Sequence, residues 1–138
     1  MRTICACAIA ALLLAACGGK YSTPESTVRT MLAAIEAEDE AAARECIVTV
    51  ERKEGRKVVA NDSKRMTEKG YKVGSATIDG DRAKVPVTFK DKNSDGDETT
   101  VNVVCKREDG DWKVSMKETF SNMFKEAMSG LADKITGE

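Results

Sequence analysis

The feature that most narrows what this chain can fold into is a change of apolar period near residue 71. Before it, Val28, Met31, Leu32 and Ile35 recur at i, i+3, i+4 and i+7, the stripe of an amphipathic helix. After it, Ala83, Val85, Val87 and Phe89 alternate with Lys84, Pro86, Thr88 and Lys90, the pattern of a strand buried on one face. Past Met116 the helical spacing returns. Helices, then an antiparallel meander, then a helix specify an α+β domain.

Local signals place the boundaries. Thr23-Pro24-Glu25 opens a helix, with Thr as N-cap and Pro at the first helical position, running to about Glu38. Asp39 caps a second helix through Glu45. Residues 47–60 read equally as a hairpin around Gly55 or as a loop, and Asn61 or Asp62 starts a third short helix, through Lys69, that Gly70 stops. Lys72 to Asp79 reads as a strand turned by Asp79-Gly80-Asp81. Pro86 has no N–H for a ladder, so its strand lies at an edge or carries a bulge there. Val101, Val103 and Cys105 share one face of the next strand, Thr99 to Arg107. Asp109-Gly110 turns it, and Trp112, Val114 and Met116 alternate inward in the last. Glu118 to Thr136 is an amphipathic helix carrying Phe120, Met123, Phe124, Ala127, Met128, Leu131 and Ile135. Gly130 inside it costs about 1 kcal/mol relative to Ala.

The N-terminus has a different character. Arg2 is followed by an apolar run from Ile4 to Leu14, then Ala15-Ala16-Cys17. These are the basic, apolar and small-residue regions of a secretory signal, and the run is too short to span a bilayer, which needs ~20 helical residues. Cysteine directly after the two alanines looks like a bacterial lipobox, which implies cleavage after residue 16 and acylation of Cys17. Residues 1–16 are then the signal peptide, 17–22 a lipidated tether, and 23–138 one domain. Gly18, rather than Asp, after the cysteine implies outer-membrane delivery facing the periplasm in a diderm bacterium, and a cell-envelope location in any host.

Residues 17–138 carry 21 basic and 23 acidic side chains, a near-balance that argues against a nucleic-acid binder. The chain has no histidine, which removes the commonest general base and metal ligand together. With Cys17 acylated, Cys46 and Cys105 remain as an even pair in an oxidising compartment, so a disulfide is expected. Its loop of about 60 residues predicts roughly 4 kcal/mol of stabilisation as an upper figure.

Three segments carry a likeness to a known family. Thr27–Ala34 with Glu38–Ala43 look like paired N-terminal helices, Ile78–Val87 like a first hairpin, and Asp109-Gly110-Asp111-Trp112-Lys113-Val114 like a closing strand. In this order they resemble the nuclear transport factor 2-like cone fold. More closely, they resemble the small uncharacterised bacterial lipoprotein domains of that superfamily, which are themselves similar to lumazine-binding domains. The resemblance covers about residues 24–117. Segment 47–70 matches nothing in it, and the helix after Met116 extends past the usual end. It implies a curved antiparallel sheet of about four strands wrapped on the first helix, with a pocket between them. Tyr71, Phe89 and Trp112 are the candidates to line that pocket. It implies a scaffold rather than an activity.

Other constellations are weaker. Asp91-x-Asn93-x-Asp95-Gly96-Asp97 matches half of a calcium loop, but Asn102 stands where the bidentate carboxylate belongs. A polar hairpin loop is the better account, so no metal and no other cofactor is expected. Arg52 to Lys72 is net +5, a solvated face or one turned to anionic headgroups. Tyr71 beside a pocket carboxylate is the one arrangement that would permit proton transfer, and an enzyme is not expected. The Met- and Phe-rich stripe of the last helix either closes the cone or docks a partner, including a second copy.

The expected reading is thus a membrane-anchored module that binds a small ligand or an envelope protein. The alternative is an assembly factor acting through its last helix. Cys17→Ala is expected to move the protein out of the membrane fraction; a variant that still pellets with membranes refutes the anchor.

Overall fold

The computed structural model describes residues 19–90 and 96–137. Residues 1–18, with Cys17, and the half-loop Asp91–Asp95 lie outside the described residues. Helix α1 (Pro24–Glu36) starts where its cap predicts, with Thr23 Oγ1 accepting from Ser26 N at 3.1 Å. Helix α2 (Glu40–Glu45) is capped by Asp39, whose Oδ1 accepts from Ala42 N at 3.0 Å. Residues 47–60 form neither a hairpin nor an open loop. They hold a short helix, α3 (Thr49–Lys53), whose first amide and hydroxyl are bound by the Glu108 carboxylate at 2.9–3.1 Å. Helix α4 (Asn61–Thr67) follows, and its entry is fixed by Ser63 Oγ, which accepts from Ala60 N at 2.9 Å.

Strands β1 (Tyr71–Val73), β2 (Thr77–Asp79), β3 (Arg82–Lys90), β4 (Glu98–Glu108) and β5 (Asp111–Val114) form one curled antiparallel sheet. Its order is β1–β3–β4–β5, with β2 also on β3. Four strand positions therefore hold five strands. The turn between β4 and β5 uses Asp109 (φ 50°) and Gly110 (φ 84°), the two left-handed residues that a tight hairpin of this hand requires.

The expected strand from Lys72 to Asp79 is broken, and Pro86 is the cause. Val73 pairs with Val87 and Thr77 with Lys84, so residues 74–76 face only residues 85 and 86. One residue too many is a bulge, placed opposite the residue that has no N–H to give. Gly74 N donates instead to Pro86 O at 2.8 Å, and Ala76 N to Glu25 Oε1 at 2.7 Å. Pro86 thus sits in an inner strand, and the bulge lies on its neighbour.

The concave face packs on α1. Val85, Val87, Val103, Cys105, Trp112 and Val114 meet Val28, Met31, Leu32 and Ile35 in a single core cluster. Thr27, fully buried, donates its hydroxyl to Trp112 O at 2.9 Å and so locks α1 to the last strand. Within the expected tether, residues 20 and 21 are bonded to the domain. Lys20 O accepts from Ser26 Oγ at 2.7 Å, Tyr21 O accepts from Trp112 N at 2.8 Å, and the Tyr21 ring lies under Lys113 Nζ at 3.5 Å. Only Gly18 and Gly19 separate the expected acylation site, Cys17, from Lys20, the first residue bonded to the domain.

The expected disulfide is replaced by two buried free thiols. Val114 stands between them. Cys105 lies opposite Val114 on one side, while Ile47, not Cys46, is aligned with Val114 on the other. Two strand spacings of about 4.8 Å exceed the ~7 Å Cα separation a disulfide tolerates. Cys46 Sγ turns instead to Ala42 O at 3.4 Å.

Gly74 tests the bulge. A Cβ there would lie 2.8 Å from Pro86 Cγ and 3.2 Å from Pro86 O, so Gly74→Ala is expected to cost about 1–3 kcal/mol. Urea unfolding measures it, and an unchanged midpoint with unchanged slope would refute the close approach.

Candidate docking site

Helix α5 (Met116–Thr136) begins two residues before the sequence pattern places it, so Met116 is its first residue rather than the end of β5. It is built onto the convex face of the sheet by polar groups. Ser115 caps it, with Oγ accepting from Glu118 N at 3.3 Å. Glu51 of α3 supplies the rest of the cap. Its Oε1 accepts from Ser115 Oγ at 2.6 Å, and its Oε2 accepts from Met116 N at 2.8 Å and Lys117 N at 3.2 Å. A carboxylate bound to the first amides of a helix also meets the positive end of its dipole. Thr119 Oγ1 accepts from Val104 N at 2.9 Å and donates to Ser115 O at 2.7 Å. Further along, Glu118 pairs with both Arg82 and Lys106, and Glu126 Oε1 accepts from Asn102 Nδ2 at 3.4 Å.

These anchors fix which way the helix faces. Thr119, Asn122 and Glu126 share the side turned to the sheet, so the apolar stripe on the other side points away from it. Phe120, Phe124, Met128, Leu131 and Ile135 are all more than half exposed, with Phe124 at 68% and Ile135 at 80%. Of the stripe named from the sequence, Met123 alone packs against the core. The cone is therefore not closed by this helix, and α5 runs unbroken through Gly130. The five side chains leave on the order of 550 Å² of apolar surface in one row, at the upper end of the largest patch expected on a monomer. Although it has 21 residues, no helix among the described residues is long and apolar enough to cross a membrane.

At the root of the row lies a groove of about 260 Å³ between α3 and α5. Ile47, Val58, Met116 and Phe120 make its apolar part, and Arg44, Arg52, Arg56, Lys57 and Lys117 its cationic part, against Glu51 and Glu54. Arg52 is held by Ile47 O at 3.2 Å and Arg44 by Glu40 and by Arg56 O, each at 3.3 Å. Phe120 and Lys117 belong to both the groove and the row, so the two are continuous.

The residues expected to line an interior pocket are placed differently. Tyr71 and Phe89 meet, as cross-strand partners with ring centroids 6.3 Å apart. Trp112 lies on β5, on the far side of β4, with the Arg107 guanidinium 4.6 Å from its ring centroid. Phe89 and Trp112 belong to the core and Tyr71 packs against it. None of the three borders this groove or the two larger open cavities, of about 390 and 480 Å³.

The titrating groups follow the same packing. Burial, helped by the nearby Glu25 charge, pushes the Cys105 thiol up to about 12, and burial also raises Cys46. Burial, then Cys46 and Glu45, push Tyr21 up to about 12. Burial works against the charge of Glu40, but the amides of Val58 and Val59 and the Arg44 guanidinium hold its carboxyl below the usual value.

No protein-family model and no curated protein matches the chain. Solved structures do. A crystal structure from Campylobacter jejuni, named as an NTF2-like transpeptidase, superposes with a TM-score of 0.51 at 20% identity, covering 70% of this chain and 100% of that one. The fold is NTF2-like. A SEC-C motif containing protein from Rhodopseudomonas palustris superposes with a TM-score of 0.50 at 18% identity, covering 68% of this chain and 76% of that one. At such identity the NTF2-like likeness carries the architecture and not the activity.

Glu51 tests how α5 is seated. Glu51→Ala removes the acceptor of three hydrogen bonds and is expected to cost about 1–3 kcal/mol. Amide exchange at Met116 and Lys117 should accelerate with it, and unchanged protection there would show that the carboxylate does not hold the helix.

Proposed function

We propose that the chain is a membrane-anchored cell-envelope lipoprotein whose NTF2-like domain is a non-catalytic docking module, acting through the outward face of α5. Cys17 carries the acyl anchor, and in a diderm host the domain faces the periplasm from the outer membrane. The observation that carries the reading is the row Phe120, Phe124, Met128, Leu131 and Ile135, exposed on a helix whose polar side is spent on the sheet. Burying such a row removes about 25 cal/mol per Å² from water, a driving force that the folded monomer leaves unused.

Two further observations support docking over catalysis. The thiols of Cys46 and Cys105 are buried and raised, which keeps them from acting as nucleophiles. The residues that would line an interior pocket fill the core instead. A second reading rests on the groove at the root of α5, whose cationic rim suits a small anionic ligand, although its volume of about 260 Å³ falls below the usual range for drug-sized ligands.

Site-specific photocrosslinking tests the docking face. A benzophenone side chain at Phe124, in cells that anchor the protein, is expected to yield an adduct with protein or lipid. The same group at Ile78, exposed on β2, is expected to yield none. No adduct at residue 124 overturns the reading.

A further inference from the structure

The charges around the exposed row are sorted. At about 100° per residue, Lys117 falls inside the apolar row. Lys134 borders it on one side and Lys125 on the other. The acids are elsewhere: Glu118 is paired with Arg82 and Lys106, Glu126 bonds Asn102, and Asp133 lies opposite Phe124. The helix is neutral in sum; Lys134 and Lys125 flank its apolar face, and Glu118, about 20° beyond Lys125, is taken up by Arg82 and Lys106. Its root opens into a groove with five cationic side chains against two acidic ones.

We propose that the occupant of the α5 face is the anionic surface of a lipid bilayer, with the apolar row in the interfacial layer and the bordering lysines on lipid phosphates. This rests on the reading of α5 as the docking face and names its partner. An interfacial helix needs this distribution, an apolar face with cations at its borders, and lies about 5–10 Å into the headgroup boundary. Lysine stems contribute to the apolar face while their ammonium groups reach the phosphates.

A second copy fits less well. Two apposed rows would remove only about 1,100 Å², near the lower limit for a specific interface.

The position of the chain start agrees. Tyr21 is held by Trp112 N and lies within the field of Arg52, which lines the groove. From Cys17 to Tyr21 the chain can reach at most about 14 Å. An acyl group on Cys17 therefore keeps the groove and the root of α5 within a short distance of the headgroups.

Phe124→Trp in the full chain reads the site directly, with wild type supplying the Trp112 background. Emission from the introduced indole is expected to shift to the blue on vesicles rich in phosphatidylglycerol, to shift far less on pure phosphatidylcholine, and to be quenched by doxyl-labelled lipid. Replacing Lys117, Lys125 and Lys134 together with Gln is expected to weaken partitioning onto the anionic vesicles on the order of a hundredfold. Ile135→Trp repeats the measurement at the other end of the row if the first variant misfolds. Emission that stays water-like and unquenched at saturating vesicle overturns the proposal. So does shielding that grows with protein concentration and needs no lipid, which assigns the face to a second copy. In either case an adduct at residue 124 keeps the docking reading, and the loss of both signals removes it as well.

Discussion

A hydroxyl group, rather than an apolar seam, holds the last helix to the sheet. Thr119 Oγ1 takes the amide of Val104 and gives its own proton to Ser115 O, so both partners of a buried side chain are satisfied. Once that contact is made, the orientation of every later side chain on α5 follows from helical geometry. Glu118 and Glu126 come to face cations and an amide on the sheet, and the phenylalanines face outward. An amphipathic helix normally turns its apolar side to the protein; here the polar side does the attaching.

Much of the architecture was legible because it rests on short-range rules. The caps at Thr23 and Asp39, the alternation from Ala83 to Phe89, and the turn at Asp109-Gly110 each depend on residues within one turn or one hairpin. The likeness that runs from Thr27 to Val114 led to the right fold. What was not legible depends on pairs distant in sequence. The first segment after Cys46 has the look of a strand because Ile47-Val48-Thr49-Val50 is β-branched. Yet Glu108, almost sixty residues on, binds the amide of Thr49 and starts a helix there. The disulfide expected from even cysteine count failed on register, because Ile47 occupies the aligned position beside Val114.

For α5 two roles stood open, closing the cone or docking a partner. Periodicity reports that a helix has an apolar side and is silent on where that side points. One signal was available in β4. Val103, Val104 and Cys105 are consecutive and apolar, which breaks the alternation of a strand with one wet face. Val104 is buried from the convex side, and the only route to that is a cover lying there. Ser115 and Thr119, four residues apart, were the groups able to supply it.

The margins of the sheet carry one more consequence. On β5, the outward amides of Trp112 and Val114 donate to Tyr21 O and Cys46 O, while their carbonyls accept from Thr27 Oγ1 and Val48 N. The opposite margin is cut into two three-residue pieces by the kink at Gly74. Neither side offers a continuous unpaired backbone for another polypeptide to extend. Growth by strand addition is closed off, so bare hydrocarbon can be displayed on a helix without a sheet margin beside it to template fibrils.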